Sequence, residues 1–400
     1  MPPNRPASKR PTILQIIPRL DTGGAELATI EITQAVIAAG GRAIVVTEGG
    51  RMARRITDAG GEIVAMRAGA KNPWSMWRNA ARLAALIERE GVDLVHARSR
   101  APAWSALWAA RRTRRPFVTT YHGAYNEKGP AKRFYNSVMA RGDVVIANSR
   151  WTAELIASRH ATPSERIAVV PRGVDLARFS AAAIGKERAA ELRRAWKVGA
   201  EQRVVLHAAR LTAWKGQAIL IEAFGRLARE GVLGDAVLVL AGDAQGRDTY
   251  AEGLAALAER QGIGQRVRLV GHVEDIAAAY ATAWVTVVAS IEPEAFGRAA
   301  AEALAVGCPV IATNLGAPPE TVLAAPVVGA EKSTGWLAEP TADGLAAALR
   351  VALALPDAER ATMGARAAAD MRARFSLATM QAQTLAVYDR LLGSGLAGRL

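Results

Sequence analysis

The run Glu292-Pro293-Glu294-Ala295-Phe296-Gly297-Arg298-Ala299-Ala300-Ala301-Glu302 sets two carboxylates eight positions apart. One precedes a glycine and the other sits inside an alanine-rich stretch. WVTVVAS before them reads as a strand, IEPEAF as a loop and GRAAAEALAVG as a helix starting near Gly297. Glu294 then hangs in the loop, and Glu302 lies about a turn and a half into the helix, partly buried by Ala and Leu neighbours. Backbone N–H groups near Phe296 and Gly297 point at the same space. A carboxylate accepts two hydroxyl hydrogen bonds at once, so vicinal diols suit it, while two acids together repel a phosphate. The competing reading is structural: a loop acid, and a helix acid paired with Arg298.

Cations stand at a second junction. After the strand-like VVLHAA comes RLTAWKG, with Arg210 and Lys215 five positions apart between strand and helix. A planar guanidinium fork and a point-charge ammonium on one loop suit a diphosphate, and they neutralise it without a metal. Gly23 and Gly24, after TILQIIP, open a helix near Ala25, where bare backbone and a helix N-terminus favour a phosphate or sugar oxygen. Read structurally, they are a tight turn. His122-Gly123 follows FVTTY, so an imidazole stands just past a strand end, competent as donor or acceptor near neutral pH. No His/Cys set has metal-ligand spacing and no Asp-x-Asp pair is present, so the expectation is no metal and no other cofactor. Cys308, the single cysteine, reads as a small buried hydrophobe.

The elements that must position these residues alternate. TILQIIP, RAIVVTE, EIVAM, DLVHA, FVTTYH, DVVIAN and RIAVVP are strand-like and separated by helix-period stretches. The second half repeats this with VVLHAA, AVLVLAG, RVRLVG, WVTVVAS and PVIAT. Such alternation implies parallel sheets covered on both faces. The expectation is an α/β protein of two Rossmann-like domains facing across a cleft: residues 1–180, residues 181–378, and a last helix over 379–400. The boundary falls in the polar LARFSAAAIGKERAAELRRAWKVGAEQ. Ligands of such sheets bind beyond the carboxyl ends of the strands, where every candidate above sits.

Composition excludes other classes. Half of the 400 residues are apolar, so the chain is globular, and no run approaches the roughly 20 apolar residues of a membrane span. MPPNRPASKRP is basic but no apolar block of signal-peptide length follows it, which, with the lone cysteine, predicts a cytoplasmic protein. The net charge of +14 is lopsided: residues 1–180 hold 28 basic against 14 acidic residues, and residues 181–400 hold 23 of each. No groove-reading motif accompanies the excess, so nucleic acid is not expected as a partner. An anionic membrane or an acidic acceptor accounts for it, as do Arg-rich solvated helices. Residues 123–142 mix Lys128, Lys132, Arg133 and Arg141 with Phe134, Tyr135, Val138 and Met139, a basic and partly apolar face that suits an anionic bilayer. An ordinary helix packing inward fits them too.

Taken together, EAFGRAAAEALAVGCPVIAT and GAPPE resemble the signature of glycosyltransferase family 4, retaining enzymes of GT-B fold. GGAE, His122-Gly123, ANS at 147–149, RGVD at 172–175, ARL…KG at 209–216, AGD at 241–243 and the terminal helix follow in the family's order. The resemblance implies a nucleoside-diphosphate sugar (UDP or GDP) as donor, with Glu294 on sugar hydroxyls and Glu302 on the ribose. Arg210 and Lys215 would hold the diphosphate, Gly24 would approach it, His122 would sit beside the sugar, and backbone near His272 and Val273 would meet the base. It implies front-side attack with retention, the departing phosphate helping to deprotonate the acceptor, and a last helix returning to the first domain. Ala209, Arg172 and Ala317 depart from the usual Gly, Asn and Gly, and the loop before Glu294 is one residue longer than usual. The expected acceptor is a cell-envelope glycolipid or saccharide of lipopolysaccharide or polysaccharide type, met by a peripheral enzyme on the inner membrane face. A nucleotide-sugar epimerase of the same fold, a glycoside hydrolase using Glu294 and Glu302, and a nucleic-acid binder are the rivals.

Overall fold

Short β-branched runs become strands because both of their faces are covered by helices. A computed structural model describes residues 10–400 except Thr22, Lys71 and Asn126; the basic leader thus lies almost wholly outside the described residues. The chain forms two units, one taking it up to Gly173 together with Leu377–Leu400, the other Val174–Ser376.

In the first unit β1 (Thr12–Ile16), β2 (Arg42–Thr47), β3 (Glu62–Ala65), β4 (Leu94–Ala97), β5 (Phe117–Tyr121), β6 (Val144–Ala147) and β7 (Ile167–Val169) form one parallel sheet. Its order is β3-β2-β1-β4-β5-β6-β7. Side chains alternate between faces: Leu14 and Ile16 enter one apolar cluster, Ile13 the opposite one. The helix Leu377–Leu392 completes that second cluster, where Leu385 and Tyr388 join Ile13, Val36 and Val118. Gln381 Nε2 donates to Glu31 O at 2.8 Å, and Gly173 N lies 3.2 Å from Met380 Sδ.

The second unit holds β8 (Val204–Ala208), β9 (Val237–Ala241), β10 (Val267–Gly271), β11 (Val285–Val288), β12 (Val310–Thr313) and β13 (Gly335–Ala338). All pairs are parallel, in the order β10-β9-β8-β11-β12-β13. Val204 and Leu206 face one cluster, Val205 the other. This unit begins at Val174 rather than near residue 180, because Val174 N bonds Phe375 O at 2.8 Å and bridges Ser376. The polar stretch expected to link two domains lies inside the second: Phe179, Ile184 and Trp196 are buried in its core. Few apolar residues sufficed to anchor it, so its composition read as a linker.

In each sheet the strand order reverses once, between β1 and β4 and between β8 and β11. Those reversals open a crevice at the carboxyl edge of each sheet. Among the described residues no helix is long and apolar enough to cross a membrane.

Candidate active site

The second unit builds its site at the β8/β11 reversal. β8 ends at Ala208, and a tight turn at Ala213–Lys215 delivers Lys215. Gly216 follows with φ +75°, and a Cβ there would stand 1.8 Å from Ala289 O, so only glycine lets this loop lie against the end of β11. Ile291 N donates to Trp214 O at 2.8 Å, tying the two loops. The ammonium of Lys215 bonds directly to Glu294 Oε1 and rests 4.0 Å from the Trp214 ring centre. Ser290 Oγ donates to the same oxygen at 2.6 Å. Both donors meet Oε1, leaving Oε2 with no hydrogen-bond partner among the described residues.

Arg210 is exposed, and among the described residues no carboxylate pairs with its guanidinium. Its carbonyl accepts from the buried Gln217 Nε2 at 2.9 Å, which fixes the loop carrying it to the helix Gln217–Arg229. Gly242 packs on this loop so closely that a Cβ would lie 1.8 Å from Ala209 O. Glu294 is held by its backbone as well: its N–H donates to Leu315 O and its carbonyl accepts from Ala317 N. Gly316, with φ +88°, leaves room for that pairing.

Phe296 is buried against Phe375, and its carbonyl accepts from Thr321 Oγ1 at 3.0 Å. Gly297, at φ +82°, caps the helix Arg298–Val306, which starts one residue later than the sequence suggests. Glu302 on that helix pairs with Arg298 at 2.7 Å and lies beside the Tyr280 hydroxyl. Burial, more than Glu302, pushes Tyr280 well up. Here the structural reading of the acid pair is realised for Glu302. The two motif acids therefore do not converge as bare carboxylates: Glu294 carries Lys215 and Glu302 carries Arg298. Val273, just past β10, is half-buried on the core, while His272 is exposed.

Sequence reasoning passed over His207, which sits on β8 beneath this pair. Its Nδ1 donates to Val287 O at 2.8 Å, so Nε2 is the bare lone pair, and it is buried with no partner among the described residues. Burial, with Lys215 nearby, lowers its pKa to about 4. Its position one residue before a strand end was the available signal.

The first unit gathers polar groups at its own reversal. Arg98, just past β4 and fully enclosed, donates through Nε and Nη2 to Gln15 Oε1 at 2.8 and 2.5 Å, and through Nη1 to Thr120 Oγ1 at 3.3 Å. His96 lies between Tyr388 Oη and Thr120 Oγ1, each 2.7 Å away, and burial drives its pKa far below the ordinary range. His122, just past β5, joins this group: its Nδ1 meets Arg172 Nη2, and its Nε2 is shut from solvent with no partner among the described residues. Burial first, then Arg172, Arg98 and His96, hold His122 neutral. Gly23 and Gly24 open the helix Gly24–Ala38. Glu26 folds over that N-terminus, so a Cβ on Gly23 would stand 2.5 Å from its Oε2. A side-chain carboxylate thus occupies the place expected for a ligand anion, while Gly24 has no atom of the described residues within 4 Å of an added Cβ. Arg98 and His96 were legible by the strand-end rule and were not singled out.

Comparison with known proteins agrees with this construction. Residues 22–178 match the model of Glycosyltransferase Family 4, and residues 189–370 that of Glycosyl transferases group 1. A glycosyltransferase from Rickettsia africae ESF-5 superposes with TM-score 0.86 at 30% identity, covering 96% of this chain and 99% of that one. Anabaena Alr3699/HepE, solved with UDP and glucose, superposes with TM-score 0.81 at 24% identity over 96% of this chain and all of its own, and so speaks for the fold alone. The D-inositol 3-phosphate glycosyltransferase of Xylanimonas cellulosilytica is 32% identical over 239 residues, 56% of each chain. That of Segniliparus rotundus is 32% identical over 263 residues, 64% of this chain and 54% of its own, so the match spans little more than half of these relatives. Two parallel Rossmann-like units, the Glu294 loop on its reversal point and the paired family matches make the chain a member of glycosyltransferase family 4, an enzyme of GT-B fold.

Proposed function

We propose that this glycosyltransferase moves a hexose from a UDP- or GDP-sugar to a saccharide or glycolipid acceptor, with retention and without a metal. The observation that carries it is the Lys215–Glu294 pair at the β8/β11 reversal, with Oε2 open and Arg210 exposed beside it. Oε2 suits a sugar hydroxyl, and the two cations suit the phosphates that gain charge as the leaving group departs. Glu302 and the half-buried Val273 would meet the ribose and the base, and Phe296 and Gly297 would offer backbone. Neither motif acid stands alone as the proton donor that a glycoside hydrolase requires, since each makes an ion pair.

The acceptor reading follows from the charge of the first half and from the relatives' inositol phosphate: an anionic polyol or saccharide, carried by an envelope lipid or free. Lipid attachment is supported by a groove of ~860 Å³ in the first unit. Trp108, Phe134, Arg111, Arg133 and Arg141 line it, and Arg141 stands over the Trp104 and Phe134 rings. These features support a peripheral enzyme working against an anionic membrane surface.

A panel of UDP-, GDP- and ADP-sugars, read by thermal stabilisation, tests the donor. One nucleotide series should raise the melting temperature of the wild-type enzyme and not of Lys215→Ala, and EDTA should leave turnover unchanged. No stabilisation by any nucleotide sugar would sink the reading.

A further inference from the structure

The contact between Arg172 and His122 decides what His122 does. A guanidinium has only donors and stays protonated, so a ring nitrogen facing it must offer its lone pair. Arg172 Nη2 faces Nδ1, which places the single proton of the neutral ring on Nε2. That N–H is buried and meets no acceptor among the described residues. Protonating Nδ1 as well would break the Arg172 contact and put a third cation beside Arg172 and Arg98.

The surroundings repeat this sense from every side. Arg98, on the loop after β4, and His96, on β4, both disfavour a charged ring, and the Tyr125 hydroxyl accepts from the His122 backbone N–H at 3.3 Å. Arg100 lies 4.1 Å from the Tyr125 ring centre, adding another cation to this end of the sheet. The nearby carboxylate Glu31 acts on Arg98.

We propose that Arg172 is a positioning residue that locks His122 as a neutral Nε2–H donor for an oxygen of the bound substrate, so that His122 accepts no proton during transfer. The role of the site rests on the glycosyl-transfer reading; the protonation state does not. Where Asn usually precedes GVD, this chain has Arg172, whose reach and permanent charge both serve the lock.

The test begins on the unmodified protein. The chain has five histidines, so ¹⁵N-histidine labelling with His122→Gln for assignment resolves this ring. Nε2 should read as protonated and Nδ1 as bare, unchanged between about pH 5.5 and 8.5. Arg172→Met should release the ring into a tautomer mixture and lower kcat/KM about 10-fold, the worth of one hydrogen bond. The loss should not grow toward acid pH, since a ring that regains a proton on Nδ1 still carries Nε2–H. Arg172→Lys, which keeps a donor and a charge, should restore most of it. In a His122→Gln background Arg172→Met should cost nothing further, which a purely structural role would not produce. A wild-type ring protonated on Nδ1, a ring that titrates near neutrality, or an Arg172→Met cost that persists without His122 would each overturn the proposal. A wild-type enzyme with the expected tautomer that binds no nucleotide sugar would instead overturn the proposed function alone.

Discussion

Lys215 and Glu294 are bonded to each other at 17% and 14% side-chain exposure, so changing either strands its partner in a half-closed site. Lys215→Ala should therefore lower kcat about 100-fold, in line with removing one preorganised donor from a developing charge. Glu294→Gln keeps an oxygen for Ser290 but loses the ion pair; it should raise the donor KM about 10-fold. Steady-state rates at saturating and limiting donor separate the two, and equal effects on kcat and KM would refute the division of labour. His207 beneath them gives a stability prediction. Its folded pKa of about 4 lies below the ordinary 6.5, so the unfolded chain binds the extra proton between those values. Stability is then fully present above about pH 6.5 and declines as pH falls toward 4, by about 3 kcal/mol from this residue. Urea midpoints measured across that window should flatten in His207→Phe, and an unchanged slope would count against the buried neutral ring.

At the scale of elements, the site depends on one loop folding tightly between β8 and the helix Gln217–Arg229. Gly216→Ala puts a methyl on Ala289 O at φ +75° and should destabilise the protein by about 2 kcal/mol or more. It should also displace Lys215, so activity should fall even below the melting transition; a variant with wild-type melting and rate would show that the loop has slack. Much of this was legible beforehand. The strand β8 and the helix after it follow from VVLHAA and GQAILIEAFGRLARE, and the loop's cations from RLTAWKG. What periodicity could not reveal is pairing. Nothing in the spacing of Lys215 and Glu294, on loops after different strands, says that they touch rather than share a ligand. Glu302 and Arg298 do have the i, i+4 spacing of a helical ion pair, and there the local rule held. Long-range partners such as Tyr388 on His96 arise only when the topology brings distant segments together. The polar run around residue 180 misled for the opposite reason: Phe179, Ile184 and Trp196 anchor it through a few contacts that composition averages away.

For the whole molecule, charge is the property that no single element carries. All of the +14 excess belongs to residues 1–180, and the described part of that half leaves aromatic side chains bare among its arginines. Trp74 and Trp77 stack at 5.4 Å on the exposed side of the helix Pro73–Arg89, each more than half exposed, and Phe134 stands 62% exposed between Arg133 and Arg141. Indole and guanidinium together suit the boundary between headgroups and acyl chains, where each basic residue near an anionic surface contributes about 1 kcal/mol. The enzyme should therefore float with vesicles containing anionic phospholipid at low salt, ignore vesicles of neutral lipid, and detach near 0.5 M salt, where the Debye length has shrunk to about 4 Å. Arg133→Glu with Arg141→Glu should abolish flotation while leaving thermal stabilisation by the proposed nucleotide-sugar donor untouched. Trp74→Ser with Trp77→Ser should weaken flotation without changing its salt dependence, because it removes insertion and not charge. Solvated surface arginines would give none of these dependences, and an enzyme that stays in the aqueous fraction with anionic vesicles at low salt would assign the excess charge to an acidic acceptor instead.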